Sequence, residues 1–301
     1  MRNFIENNNK NKVKIEGTLS EINLEYGKYT KDGVEKERIS GTIKIRVDLE
    51  NDKTLEIPVR MFANKLTNDG NPNGAYAAIQ RVKEEMISIA GCPDGATPDC
   101  VRLTSGQISM QEYPNEQGGI TSYPSIQGTF ITKIKADDCH PQATYEAEIV
   151  VANVAPELNK DGEETGRVKV TGILPGYKGR VDVVNFIAEH DAVKDAITTL
   201  WDTNATVTVA GDLNFSSKTE EYTKEMAFGA PKKEIRTINV SEFIITGGSE
   251  PLDEDSAYDI ADIQKGLEER KARLEAAKAE RAGKKATTVI ATEKKKIDLG
   301  F

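Results

Sequence analysis

Lys31-Asp32-Gly33-Val34-Glu35-Lys36-Glu37-Arg38-Ile39 is followed 129 residues later by a near copy, Lys160-Asp161-Gly162-Glu163-Glu164-Thr165-Gly166-Arg167-Val168. In each copy a polar Lys-Asp-Gly turn stands between two runs of alternating apolar residues, the pattern of a β-hairpin whose glycine supplies a positive φ. One β module therefore occurs twice in the chain.

Outward from the first copy, Val13, Ile15, Leu19, Ile22 and Leu24 mark a strand over 13–26. After the turn, Ile39, Ile43, Ile45 and Val47 alternate with Lys44, Arg46 and Asp48, so this strand is buried on one face and wet on the other. Residues 55–62 give a third strand, in which Pro58 requires an edge position or a bulge. Ile79, Val82, Met86 and Ile89 then recur at the period of a helix over 75–90. Fourth and fifth strands are expected over 101–108 and 126–134, joined by a polar loop that begins at Tyr113.

The second copy repeats this order with strands over 145–154, 168–174 and 181–187, a helix over 191–201, and strands over 206–213 and 235–245. Three strands, a helix and two strands is the order of the OB-fold, a five-stranded Greek-key barrel that holds oligonucleotides on strands 2 and 3 and the loops beside them. The expected fold is mainly β: two tandem OB-fold-like barrels, each with one helix, and a C-terminal helical and disordered tail. The domains are read as 1–140, 141–248 and 249–301. In the tail an acidic linker, Asp253-Glu254-Asp255, precedes a helix over 258–282 whose Ile260, Ile263, Leu267 and Leu274 lie at heptad-like spacing. Arg281 ends that seam after fewer than four heptads, which favours a solvated helix over a coiled coil. Residues 284–301 are expected to be disordered.

The stretch from Glu25 to Gly33, the stretch from Leu158 to Arg167, and Gly211-Asp212-Leu213-Asn214-Phe215 together resemble the single-stranded DNA-binding proteins of bacteriophages of Gram-positive hosts, over about residues 13–247. The resemblance implies sequence-nonspecific binding of single-stranded DNA in phage replication or recombination, in the host cytoplasm. Many such proteins recruit replication partners through an acidic tail with an aromatic tip. Here Phe301 and the acidic 250–262 segment resemble that tail, while Lys294, Lys295 and Lys296 depart from it.

Binding single strands without sequence preference needs aromatic faces for the bases, each worth roughly 1–3 kcal/mol, and cations that follow the phosphates. In the first module Tyr26, Lys28, Tyr29 and Lys31 cluster in the expected loop between strands 1 and 2, with Arg38, Lys44, Arg46 and Arg60 on or beside strands 2 and 3. Phe62, Tyr113 and Tyr123 are further stacking candidates. The second module offers Arg167, Tyr177, Lys178 and Arg180, with Phe228 in its last hairpin. Phe130, Phe243 and Trp201 lie in apolar runs and are assigned to the core.

A net charge of -9 requires any nucleic-acid binding to come from a local basic surface. Residues 1–91 hold 15 basic and 14 acidic residues against 11 and 17 in 141–248, so the first module is the better anion binder. The chain has no nucleotide-binding glycine loop, zinc-protease pair or nucleophile elbow, so no enzymatic activity and no cofactor are expected. Cys92 and Cys100 are separated by seven residues and Cys139 adjoins His140, spacings that do not suit a zinc site, so no metal is expected. No stretch reads as a signal peptide or membrane span. The rival reading is a phage structural or assembly protein whose paired barrels make protein contacts.

Overall fold

In the computed structural model, which describes residues 10–31, 33–50, 53–224, 228 and 232–293, the repeated order closes into two rings of strands. In the first, β1 (Asn11–Lys31), β2 (Val34–Asp48), β3 (Thr54–Asn64), α1 (Gly74–Glu85), β4 (Cys100–Pro114) and β5 (Ile120–Gln127) follow one another. Pairing runs β1-β2-β3-β5-β4 and back to β1, with β3 and β5 parallel. A short β6 (Ile131–Ile134) adds to the edge of β4. The second ring contains β7 (Gln142–Leu158), β8 (Glu164–Pro175), β9 (Val181–Ala188), α2 (Asp191–Leu200), β10 (Thr206–Lys224) and β11 (Lys232–Gly248). It closes in the same way, β7-β8-β9-β11-β10 and back to β7, with β9 and β11 parallel. Two OB-like rings in tandem are followed by one long helix, α3 (Ile260–Glu293). Among the described residues no helix is long and apolar enough to cross a membrane.

Period-2 patterning builds each interior. Ile39, Ile43, Ile45 and Val47 of β2 meet Leu55, Ile57, Val59 and Met61 of β3 inside ring 1, all of them buried. In ring 2 an aromatic cluster does this work: Tyr145, Phe186, Phe215 and Phe243 touch with ring centroids 5.5–6.0 Å apart. Aromatic contacts of this kind contribute about 1 kcal/mol each beyond burial alone. Trp201 closes the end of α2 and donates Nε1–H to the Ser249 carbonyl at 2.9 Å.

One β-ladder joins the two rings. The N-terminal part of β1 pairs antiparallel with β7 through six residue pairs, the third of which is Val13 with Tyr145. These positions are equivalent in the repeat, for each is followed three residues later by a buried glutamate, Glu16 and Glu148. The rings are therefore related by a local two-fold axis through that pair, as in an isologous dimer interface.

Several sequence expectations are corrected. The fifth strand of ring 1 is β5 at Ile120–Gln127; the 126–134 stretch is broken after Gln127, its start belonging to β5 and its end to β6. At the break Gly128 lies where an added Cβ would meet Val59 and Leu103 at 2.7–2.8 Å. Phe130, past the break, is 51% exposed, whereas Phe243 is buried. α1 stops at Glu85 because the next backbone groups have other partners: Ile87 N–H donates to Asp99 Oδ2 and Ile89 N–H to the Leu19 carbonyl. α3 continues through Glu293, where disorder was expected from 284. Phe301 and Lys294 to Lys296 lie outside the described residues.

Candidate nucleic-acid interface

With the isoleucines of β2 turned inward, its alternate residues Lys36, Arg38, Ser40, Thr42, Lys44 and Arg46 form an outer face. The antiparallel register sets Tyr29 of β1 against Lys36, and Asn64, Phe62 and Arg60 of β3 against Arg38, Ser40 and Thr42. Residues directly opposite in a ladder share a face, so these side chains make one continuous surface. The Arg38 guanidinium lies over the Tyr29 ring, 5.7 Å from its centroid. Phe62 is 54% exposed, unusual for an isolated phenylalanine on a strand, and Arg60 beside it is exposed with no ion pair among the described residues. Lys44 and Arg46 are held by Glu21 at 2.5 Å and Asp48 at 2.9 Å. Exposed pairs of this type are worth at most about 1 kcal/mol, so a phosphate can displace either carboxylate.

Tyr26 and Lys28 face the other way. They lie in β1 rather than in a loop: the tight turn at Gly33, whose φ is +76°, sets Lys31 opposite Val34 and carries the ladder to the tip. An odd separation puts Tyr26 and Tyr29 on opposite faces of the resulting two-stranded arm. The Tyr26 ring packs on Tyr76 of α1 at 6.4 Å and its hydroxyl donates to Glu84. That bond pushes its pKa up to about 12. Lys28 pairs with Glu35 at 2.8 Å, and the side chain of Lys31 lies outside the described residues. Lys36, absent from the sequence candidates, joins Tyr29 and Arg38 on the outer face; a two-residue turn with Lys31 opposite Val34 would have located it.

Tyr113 and Tyr123 lie on the same side of the β4–β5 hairpin, edge to face at 5.9 Å and both exposed. The hairpin is braced by α3: Arg270 binds Glu112 through two nitrogens and Arg281 donates to the Pro114 carbonyl. Tyr177, Lys178 and Arg180 belong to the tight β8–β9 connection, which stands against this hairpin rather than beside β8's outer face. Arg167 is committed elsewhere. It donates to Glu157 at 2.6 and 2.8 Å, to Glu189 at 2.9 Å and to Glu242 at 3.0 Å, and its side chain is only 27% exposed. Three carboxylates around one guanidinium leave no donor for a phosphate.

One end of the outer face of ring 2 is covered. Ile173 of β8, Val181 of β9 and Val150 of β7 pack beneath Tyr258, Ile260, Ile263 and Leu267, which fold back from the C-terminal segment. Tyr258 is 1% exposed; its N–H donates to Thr206 Oγ1 and its hydroxyl to Glu148 at 3.1 Å. The first turns of α3 are thus a buried cover, and the expectation of a wholly solvated helix fails because the sheet below is apolar on its outer side. Glu148 also pairs with Lys10 at 3.0 Å. Its counterpart Glu16 is gripped by Arg102 at 2.6 and 3.0 Å and by the His140 N–H, and the Arg102 bond holds its carboxyl below the usual range.

A family model described as YorF matches residues 9–280. No curated protein matches the sequence. Among solved structures, the wild-type single-stranded DNA binding protein from Thermus aquaticus is similar with a TM-score of 0.44 and 11% identity, over 81% of this chain and 94% of that one. A deletion mutant of the same protein gives 0.43 and 12%, over 82% and 96%. A replication protein A heterotrimer bound to ssDNA gives 0.24 and 9%, over 77% and 49%. The OB-like assignment of the two rings rests on strand order and closure.

Proposed function

The chain belongs to the YorF family, whose model spans both rings, and we propose that it binds single-stranded DNA without sequence preference and without catalysis, on the outer face of ring 1. The carrying observation is the surface made by Tyr29, Lys36, Arg38, Arg60 and Phe62: two exposed aromatic faces among cations, on the strands that OB barrels use for oligonucleotides. In this reading bases stack on Tyr29 and Phe62, phosphates pass along Lys36, Arg38, Arg60, Lys44 and Arg46, and Tyr113 and Tyr123 extend the surface. Residues 1–140 are the binding domain, 141–248 a supporting one, and 249–301 the tail that covers it. The resemblance read in the sequence puts this activity in bacteriophage replication or recombination, in the host cytoplasm, with the tail as a contact for replication or recombination proteins.

Titration with oligo-dT is expected to quench tyrosine fluorescence, since the single tryptophan is buried in ring 2. Affinity is expected to fall with salt at a log-log slope of about -0.7 per phosphate contacted. No binding at low salt overturns the reading.

One observation favours the rival role in assembly. The β10–β11 ribbon carries Phe228, 90% exposed, and Ile235, also exposed. Self-association lost on Phe228→Ser, with no response to single strands, would favour protein contacts instead.

A further inference from the structure

Between the two rings lies a cleft of about 410 Å³, large enough for one nucleotide. Its floor is the outer side of β4 and β5, where Gln107 pairs with Gln127 and Gln111 with Tyr123. Its far wall is the β8–β9 connection with Tyr177 and Arg180, and α3 closes one side with Arg273. The floor continues the proposed strand path, because Arg60 of β3 is paired with Gln127 of β5.

The lining is unlike the rest of that path. Four primary amides line the cleft; Asn11 is bonded to the Ile108 backbone, while Gln107, Gln111 and Gln127 have no side-chain partner among the described residues. Each amide carries both donors and an acceptor, the complement of a base's hydrogen-bonding edge. Tyr177 is exposed on one side of them, and Arg180 has no carboxylate partner among the described residues. The two carboxylates at the cleft are already engaged. Glu112 is bound by Arg270 and lies 3.8 Å from Arg273, and Asp182 accepts from the Met110 N–H at 3.1 Å. Burial raises the Asp182 pKa.

We propose that this cleft takes one nucleotide of the bound strand out of the stack, its base edge on Gln107, Gln111 and Gln127, its face on Tyr177 and its phosphate on Arg180 and Arg273. The proposal rests on the single-strand reading and modifies it at one position, where a modest base preference is superimposed on otherwise nonspecific binding. A stacking face accepts every base, whereas a set of amides does not. Stacking alone on ring 1 leaves a base preference that removal of the cleft amides does not alter, whereas an occupied cleft makes the preference depend on them.

The test compares the full-length protein with Gln111→Ala/Gln127→Ala, Arg180→Ala, and Phe62→Ala, each checked for an unchanged thermal midpoint, on 20-nucleotide oligo-dT, oligo-dC and oligo-dA. The expected result is a several-fold spread of affinities among the three oligomers in wild type. That spread should collapse in the glutamine double variant and persist, at uniformly weaker binding, in Phe62→Ala. Arg180→Ala should weaken all three. Wild-type binding with no base spread, or with a spread and affinities unaltered by the glutamine and Arg180 variants, overturns the cleft while leaving ring 1 as the binding face. Absence of any wild-type binding overturns the single-strand reading itself. Binding of free mononucleotide with no change in oligomer affinity on cleft substitution assigns the cleft to a separate small ligand and also overturns the proposal.

Discussion

The same strand order produces two unlike outer surfaces. On ring 1 the face of β1, β2 and β3 presents Tyr29, Arg38, Arg60 and Phe62 to solvent. On ring 2 one end of the matching face carries Ile173, Val150 and Val181 and is covered by Tyr258 and Ile263, while Asn185 further along it stays exposed. Arg38 and Arg167 occupy equivalent places in the repeat, yet one lies over a tyrosine and the other is enclosed by three glutamates. A shared strand order constrains the inward residues, which must fill a barrel, and releases the outward ones, which can be made polar for a ligand or apolar for the chain's own tail.

The comparison is broken most severely by opening the sealed face. Tyr258→Ala removes a fully buried aromatic side chain and is expected to cost about 4 kcal/mol in urea unfolding. A loss under 1 kcal/mol would mean that the tail is not part of ring 2's structure. Arg167→Met comes next. It leaves Glu157, Glu189 and Glu242 without their shared cation and is expected to cost about 3 kcal/mol at neutral pH, with binding to oligo-dT unchanged.

That cost should shrink in acid. Burial raises the Glu157 pKa, but the bonds from Arg167 and Thr165 outweigh it and leave it below 4.5. The folded state thus binds fewer protons than the unfolded chain in that range. The contribution of Glu157 is complete above about pH 4.5 and disappears as the pH falls through its lowered value. Stability curves of wild type and Arg167→Met that stay parallel below pH 4 would remove this cluster from ring 2's account.

On the open face the effects fall on binding rather than stability. Phe62→Ala is expected to weaken oligo-dT binding by about 2 kcal/mol, roughly thirty-fold, and to leave unfolding within about 0.5 kcal/mol of wild type. The smallest expected change is in Arg60→Ala, which should make the log-log salt slope shallower by about 0.7 if one phosphate contact is lost.

The three-strand, helix, two-strand order and the inward faces were legible because alternation records which side of a strand is buried. Loop and strand at Tyr26 to Lys31 were harder to separate. Their polar side chains hide the fact that a Gly33 turn lets the ladder run to its tip, and with the ladder missed, the opposition of Tyr26 and Tyr29 and the place of Lys36 were missed too. Phe130 looked like core by analogy with Phe243, but the chain breaks at Gly128 before reaching it. The cover on ring 2 was only half visible. The spacing of Ile260, Ile263 and Leu267 announces an apolar stripe without saying what lies beneath it, and Ile173 and Val150 sit in runs that are apolar on both sides. Glu157, Glu189 and Glu242 come from separate elements, so nothing local marked Arg167 as occupied.

The ladder between Val13 and Tyr145 has a consequence for how the protein unfolds. β1 bonds to β2, to β4 and, across the axis, to β7, so the first strand of the chain is shared by both barrels. Excising the second repeat would strip one side of β1, and excising the first would strip one side of β7; either exposes a bare edge of the kind that templates aggregation. The molecule should therefore melt in one calorimetric transition, its two halves bound into a single cooperative unit by six residue pairs at the beginning of the sequence.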